Sequence, residues 1–159
     1  MNATTVAVDL AKSVFELAVA DERWKVLERA RLTRRQFERW FENRVVRLVV
    51  MEACATPHHW ARTLRARGIE VLLVPAQYVR AYVKRDKTDE ADALALLEAA
   101  RASDITPVGV KSVEQQGLQA LHRLRSGWMG TRTRRINTLR GFCRVFGMEV
   151  SVGAARGLA

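Results

Sequence analysis

The first part of the chain alternates apolar and polar residues in short runs. The segments TTVAVDL, SVFELAVA and WKVLERARL are β-branched or alternating, and short turns separate them. A period of two is typical of strands, so we expect an antiparallel meander of three strands. Thr33 then opens TRRQFERWFENR, whose aromatic residues recur at the three- and four-residue spacing of an amphipathic helix.

Two nearly continuous apolar runs follow, VVRLVVMEA and IEVLLVP, which are typical of strands buried on both faces. The segment between them, HHWARTLRARG, has Pro57 before it and ends at Gly68, as a helix does. The predicted order is β-β-β-α-β-α-β-α, with long helices afterwards. This order predicts an α/β fold with a mixed sheet that helices cover on both faces.

The last third of the chain has the pattern of long helices. No proline occurs from Ser112 to Phe146, and apolar residues form a rough helical stripe there. Gly127 and Gly130 interrupt this stripe, so we expect a kink or a helix pair. We therefore divide the chain into an α/β body at 1–107, a basic helical arm at 108–148 and a tail at 149–159.

The charge is strongly positive and unevenly distributed. The formal net charge is +10, and the segment from Lys111 to Val145 has eight Lys or Arg residues against one acid, Glu114. Such a balance favours a polyanionic partner, above all nucleic acid. The alternative is a solvated surface helix in a basic protein.

Targeting features are lacking in the sequence. It contains no apolar run of about 18 residues and no basic start followed by a long apolar stretch, so we expect no membrane span and no secretory signal. Cys54 and Cys143 match no metal-ligand spacing and are interpreted as reduced thiols. We expect a cytoplasmic protein.

Four acidic residues stand at positions where a metal site can form. Asp9 and Glu52 lie at the ends of otherwise apolar strands, and Asp89 and Asp92 are three residues apart where an apolar helix begins. If the two strands are parallel neighbours, their carboxylates emerge at the same sheet edge, where sites of α/β proteins form. Clustered carboxylates bind hard cations, so the candidate metal is Mg²⁺ or Mn²⁺ and the candidate chemistry phosphoryl transfer.

A structural interpretation of Asp89 and Asp92 stays open. Acidic residues are favoured in the first turn of any helix, and Thr88 is a candidate N-cap. His58 and His59 are interpreted as part of a helix surface, because adjacent helix positions point about 100° apart and rarely bind one ion.

Several basic residues are candidates for phosphate contacts. Lys12 follows Asp9 by three residues, and it is equally well explained as an exposed turn lysine. The remaining candidates flank the two aspartates or lie in the arm: Lys84, Arg85, Lys87, Arg125, Arg132, Arg134, Arg135, Arg140 and Arg144. The apolar stripe of the arm also predicts a homo-oligomer through a coiled coil.

Three segments carry a resemblance to a known family. VAVDLAKSVFELAV, VVMEACATPHHWARTL and VPAQYVRAYVKRDKTDEADALALLEAA resemble the N-terminal domain of the Asp-Glu-Asp-Asp transposases of bacterial insertion sequences, the IS110 group. The segment LQALHRLRSGWMGTRTRRINTLRGFCRVFG looks like the coiled-coil region of that family. The resemblance implies a RuvC-like, ribonuclease H-like fold and an acidic tetrad at Asp9, Glu52, Asp89 and Asp92.

The same resemblance implies a function and its partners. It implies divalent-metal binding and recombination of DNA guided by a structured RNA that the element encodes. It also implies a C-terminal domain with a serine nucleophile, a role that no serine of this sequence takes. We interpret the chain, which stops at Ala159, as lacking that domain, and we do not expect strand exchange from it alone.

Two alternatives belong to other classes. One is a nucleic-acid-binding module without catalysis, in which binding would not depend on the four carboxylates. The other is part of an actin-like ATPase, since those folds also open with a strand bearing an aspartate. The ATPase needs a glycine-rich phosphate loop, and VDLAKS has no glycine after its aspartate.

Overall fold

A computed structural model describes residues 5–82, 89–102 and 105–150 of the chain. These residues belong to two compact units, Met1–Ser112 and Val113–Ala159. The first unit is the α/β part of the protein, and the second contains one long helix.

The first unit is built on a five-stranded mixed sheet. Its strands are β1 (Thr5–Leu10), β2 (Val14–Ala20), β3 (Val26–Thr33), β4 (Leu48–Glu52) and β5 (Glu70–Val74), in the spatial order β3-β2-β1-β4-β5. The strands β1, β4 and β5 pair in parallel, while β2 is antiparallel to both β1 and β3. Only β2 therefore runs against the others, which is the ribonuclease H-like arrangement that the family resemblance implied.

In the described part of this unit, four helices connect or cover the strands: α1 (Arg34–Trp40), α2 (Pro57–Arg65), α3 (Ala76–Arg80) and α4 (Asp89–Arg101). The three-stranded meander, the two later strands and the helices between them are thus confirmed. The predicted α/β class with a mixed sheet and flanking helices is also confirmed.

Local chemistry explains where two of these helices begin. Thr33 accepts a hydrogen bond from the backbone N–H of Gln36, and the Gln36 side chain accepts one from the backbone N–H of Thr33 at 2.8 Å. This reciprocal capping box satisfies two donors that would otherwise lack a partner at the start of α1. Pro57 occupies the first turn of α2, where its missing N–H is not needed.

One face of the sheet carries a core rich in aromatic side chains. Phe15 of β2, Phe37 of α1 and Trp60 of α2 meet edge to face, with ring centroids 5.0–5.5 Å apart. Apolar residues of all five strands, including Val8 and Met51, join the same cluster. This packing fixes α1 and α2 on one side of the sheet.

The opposite face is covered by α4 and is packed with small residues. Ala7 and Ala18 of the sheet are fully buried in one cluster with Ala93 and Ala99 of α4. Because alanine side chains occupy little space, the helix and the sheet approach closely on this side. The helix α4 contacts β1, β2, β4 and β5.

The segment that leads out of the first unit is held against it. The backbone N–H of Val108 donates to the carbonyl of Leu73 at 2.8 Å. The Arg62 guanidinium donates to the carbonyl of Lys111 at 2.6 Å, and the N–H of Lys111 donates to Nδ1 of His58 at 3.2 Å. The compact unit thus extends to Ser112, five residues beyond the boundary placed at residue 107 from the sequence.

In the second unit, residues 113–150 are described, and they contain a single helix, α5 (Val113–Val145). The helix runs through Gly127 and Gly130, so the alternative of a helix pair is wrong. Each glycine weakens a helix by about 1 kcal/mol relative to alanine but keeps its backbone hydrogen bonds, which is too little to end it. Within residues 5–82, 89–102 and 105–150, every helix is too short or too polar to cross a lipid bilayer.

Candidate metal and nucleic-acid site

Asp9 and Glu52 lie side by side on the central pair of parallel strands. The last paired residues of β1 and β4 are Val8 and Met51, so Asp9 and Glu52 are the next residues on the two strands. Neighbouring strands are about 4.8 Å apart. Both residues are half-buried, and both alternate onto the face of Ala7, which is the face that α4 covers. The expected parallel pairing and common edge are confirmed by this register.

The helix α4 carries the other two predicted carboxylates. Asp89 is its first residue and Asp92 lies in its first turn, so the predicted position at the start of a helix is confirmed. Asp92 is half-buried, and Ala93 beside it packs into the cluster of this sheet face. The side chain of Asp89 lies outside the part of the structure that is described.

The donor set of this region fits a hard divalent cation. Carboxylate oxygens are the ligands that Mg²⁺ and Mn²⁺ prefer, and two neighbouring strands present one carboxylate each on the same face. Among the side chains described, no three from His, Cys, Asp and Glu are grouped closely enough to hold a metal ion. The role of the four residues as metal ligands stays a prediction.

Besides Asp9 and Glu52, the sheet carries a further carboxylate next to Asp9, which the sequence analysis did not single out. Glu16 of β2 is directly opposite Asp9, and Arg31 of β3 is directly opposite Glu16. The Arg31 guanidinium is 3.1 Å from a Glu16 carboxylate oxygen. Directly opposite residues share one face of a sheet, so Arg31, Glu16, Asp9 and Glu52 form a row across four neighbouring strands, which we call the charged row.

The sequence of the β1–β2 hairpin contains a pattern from which the position of Glu16 beside Asp9 could have been predicted. Glu16 interrupts the apolar run of SVFELAVA on the face of Ala18, and a short turn joins β2 to β1. The turn and the alternation fix the register, which decides that the partner of Asp9 is Glu16 and not a neighbour.

The predicted phosphate-binding residues are distributed over both units. Lys12 is exposed in the connection between β1 and β2. Lys84, Arg85 and Lys87 lie outside the described residues. On α5, the residues Arg125, Arg132, Arg134, Arg135 and Arg144 are exposed, and Arg140 is half-buried. Their binding to nucleic acid stays a prediction.

The interpretation of His58 as a surface residue is wrong. Only 4% of His58 is exposed, whereas His59 is exposed. Burial lowers the pKa of His58, and the positive charges of Lys111 and Arg62 lower that pKa further. Because its Nδ1 accepts the hydrogen bond from Lys111, the neutral imidazole is the form that fits this place.

The chain is similar in sequence to several known transposases. A probable family 20 transposase of Pseudomonas aeruginosa is 43% identical over 93% of the chain. The transposase of the insertion sequence IS1111A of Coxiella burnetii is 40% identical over 95% of the chain, and that of IS1328 of Yersinia enterocolitica is 32% identical over 97%. The chain spans 44%, 42% and 46% of these three proteins, less than half of each.

Among solved structures, the chain is similar to that of RuvC of T. thermophilus in complex with a Holliday junction substrate. The TM-score is 0.47 and the sequence identity is 14%, over 65% of this chain and 98% of RuvC.

The profile of a transposase family covers almost the whole chain. It is the family of IS110-type transposases with an Asp-Glu-Asp-Asp site. The match covers residues 6–146, which include Asp9 on β1, the whole of β4 with Glu52, and the whole of α5. The chain therefore belongs to the IS110 family of transposases.

Proposed function

We propose that this chain is the metal-dependent catalytic part of a DNA transposase. The observation that carries the proposal is the pair of carboxylates, Asp9 and Glu52, at neighbouring positions on parallel strands. The start of α4, which packs across the same face, adds Asp92 and Asp89. The substrate in this proposal is the phosphodiester backbone of DNA, which agrees with the net charge of +10.

The four carboxylates would hold Mg²⁺ or Mn²⁺, which supplies Lewis-acid stabilisation of the charge that develops on a phosphoryl group. The protein contributes the position of the ligands. Asp9 and Glu52 belong to a sheet whose central residues, such as Val8 and Met51, are fully buried, so their backbone is held rigidly. Rigid ligands keep their geometry while the substrate changes, which electrostatic catalysis requires.

Thermal unfolding with and without Mn²⁺ tests the metal site. Carboxylates that repel one another when they are empty are stabilised by a cation, and the gain follows RT ln(1 + [L]/Kd). We expect Mn²⁺ to raise the melting temperature of the wild type. We expect no such rise for Asp9→Asn combined with Asp92→Asn, whose side chains are similar in shape but carry no charge.

Glu70→Gln is the matched control. Glu70 is an exposed residue at the first position of β5, which is the opposite end of the strand from Val74, the partner of Glu52. The control should retain the Mn²⁺ shift. Equal shifts in the wild type and in the double variant would contradict the proposed site.

Activity gives the second test of the proposal. In a recombination assay that includes the serine domain implied by the family resemblance, Asp9→Asn should abolish metal-dependent recombination of DNA. Unchanged recombination would leave the second candidate, a nucleic-acid-binding module without catalysis. That candidate is favoured by the six exposed arginines of α5.

The remaining partners in this proposal are nucleic acid and a second copy of the chain. The arginines of α5 would contact phosphates without regard to sequence. A guide RNA encoded by the element is the partner that the family resemblance implies. The exposed apolar residues of α5 would pair with another copy of the same helix.

A further inference from the structure

We infer that Arg31, with Arg29 beside it, binds a phosphate of the DNA strand next to the proposed metal site and positions that strand. This inference rests on the proposed function, and it adds a substrate-positioning residue that lies outside the four carboxylates. The partner is the DNA backbone.

The register places Arg31 in line with the site. Arg31, Glu16 and Asp9 are directly opposite one another on β3, β2 and β1. Arg31 is two strand spacings, or about 10 Å, from Asp9. A DNA strand whose reacting phosphate lies at Asp9 could therefore place another of its phosphates beside Arg31. Arg29 is opposite Ala18, which belongs to the same face, and two residues along a strand add about 6.6 Å.

The surroundings of Arg31 leave it accessible. The helix α4 packs on β1, β2, β4 and β5, while β3 is the edge strand beyond them. The Arg31 side chain is 70% exposed, whereas that of its partner Glu16 is 17% exposed. Since α4 covers the centre of this face, a polyanion that reaches the charged row from the side of β3 meets the two arginines first.

The ion pair with Glu16 has two consequences for a substrate. Glu16 holds the Arg31 guanidinium close to the sheet, so the guanidinium is oriented before a phosphate arrives. Arg31 also offsets the charge of Glu16, a carboxylate that would otherwise add to the repulsion between Asp9 and DNA. Exposed ion pairs contribute little to stability, so the loss of Arg31 should leave the fold intact.

Salt-dependent DNA binding tests this inference on the whole chain. We would measure the affinity for a labelled DNA duplex of arbitrary sequence between about 50 and 200 mM salt. Each phosphate contact contributes about 0.9 to the slope of log K against log salt. Arg31→Gln should therefore weaken binding and lower the magnitude of this slope by about 0.9, and Arg29→Gln/Arg31→Gln should lower it by about 1.8.

Two control variants separate a phosphate contact from other effects. Glu16→Gln breaks the same ion pair but keeps the arginine, so it should keep the salt slope of the wild type, even though Arg31 is no longer held in place before a phosphate arrives. Arg23→Gln removes the same charge from the turn at the other end of the β2–β3 hairpin, where Arg23 is exposed, and it should keep the full slope. A normal slope in Arg31→Gln, or an equal loss in Glu16→Gln, would overturn the inference.

The two proposals fail in different measurements. The Mn²⁺ shift of the melting temperature depends on Asp9 and Asp92, and Arg31→Gln should retain it. A retained Mn²⁺ shift together with an unchanged salt slope in Arg31→Gln removes the role of Arg31 alone. A missing Mn²⁺ shift in the wild type removes the metal site, whatever the slope.

Discussion

At the scale of single residues, the charged row shows how the sheet concentrates like charges. Glu52 and Asp9 follow apolar residues on parallel strands, and Glu16 stands opposite Asp9. Glu16 is in turn paired with Arg31, whose guanidinium is 3.1 Å from a carboxylate oxygen of Glu16. A row with more acids than bases at a half-buried edge favours the binding of a cation.

His58 provides a residue-scale prediction about pH. In the folded protein, the pKa of His58 lies below its ordinary value. As the pH falls, the imidazole is therefore protonated at a higher pH in the unfolded chain than in the folded protein. The stability that the neutral imidazole contributes is present above about pH 6.5 and is lost as the pH falls below that value. The wild type should therefore have a lower urea midpoint at about pH 5.5 than at about pH 7.5.

His58→Gln isolates this effect because the Gln side chain keeps an acceptor for the Lys111 N–H and does not titrate. We expect His58→Gln to lose much of the change in urea midpoint between the two pH values. His59→Gln, at the exposed neighbour, should behave as the wild type does. The same pH dependence in His58→Gln as in the wild type would show that other groups cause it.

At the scale of elements, the contact between α4 and the sheet depends on small side chains. Ala7 and Ala18 on the sheet and Ala93 and Ala99 on the helix are all at most 2% exposed. Since α4 also carries Asp89 and Asp92, the closeness of this contact sets the distance from these residues to Asp9 and Glu52. The packing of these alanines therefore helps to position the carboxylates of the candidate site.

Ala7→Leu tests this dependence. The added atoms have no room in the cluster, and overpacking of a well-packed core costs about 1–3 kcal/mol. We expect a lower free energy of unfolding in urea and, with α4 displaced, a smaller Mn²⁺ shift of the melting temperature. Ala120→Leu, at an exposed position of α5, should change neither quantity. A wild-type free energy in Ala7→Leu would mean that α4 has space to move.

At the scale of the whole molecule, the two units differ in how they use apolar residues. The first unit buries them in two clusters on the faces of one sheet. In the second, none of the α5 residues is buried, and Trp128, Leu139 and Phe142 are all more than 60% exposed. Apolar residues that recur along an exposed helix favour pairing with another helix.

Sedimentation velocity at several concentrations tests this pairing. We expect the wild type to form dimers or larger species as the concentration rises, because pairing removes the apolar residues of α5 from water. Leu139→Asp places a charge in that surface and should give monomers. Thr133→Asp adds the same charge at an exposed polar position of α5 and should still associate. Monomers of the wild type at every concentration would contradict the prediction.

The strands and helices of the first unit could be predicted from the sequence because their patterns are local. Alternation and apolar runs mark the strands, and Thr33 and Pro57 mark helix starts. Asp9 and Glu52 could be paired because strand ends were predictable and the topology then brought them together. For these features, the local pattern and the final fold agree.

The features that could not be predicted depend on contacts between distant segments. His58 is buried because residues 108–111 pack beside α2, which no pattern near His58 indicates. To predict the charged row, one must know the exact register of both the β1–β2 and the β2–β3 hairpin. The sequence around Arg31 also contains several other arginines, and no local pattern distinguishes Arg31 as the partner of Glu16. The continuity of α5 through Gly127 and Gly130, two of its four glycines, reflects a balance of small energies along the helix.

The register of β1 and β4 has a consequence for the evolution of this family. Side chains alternate between the two faces of the sheet. The loss of one residue inside β4 would therefore move Glu52 into the register position of Met51, and its charge would face the aromatic core. Length changes should therefore accumulate among relatives in the connections at 41–47 and 53–56. Lineages should keep a constant spacing within Thr5–Asp9 and within Leu48–Glu52 even where the residues themselves have diverged.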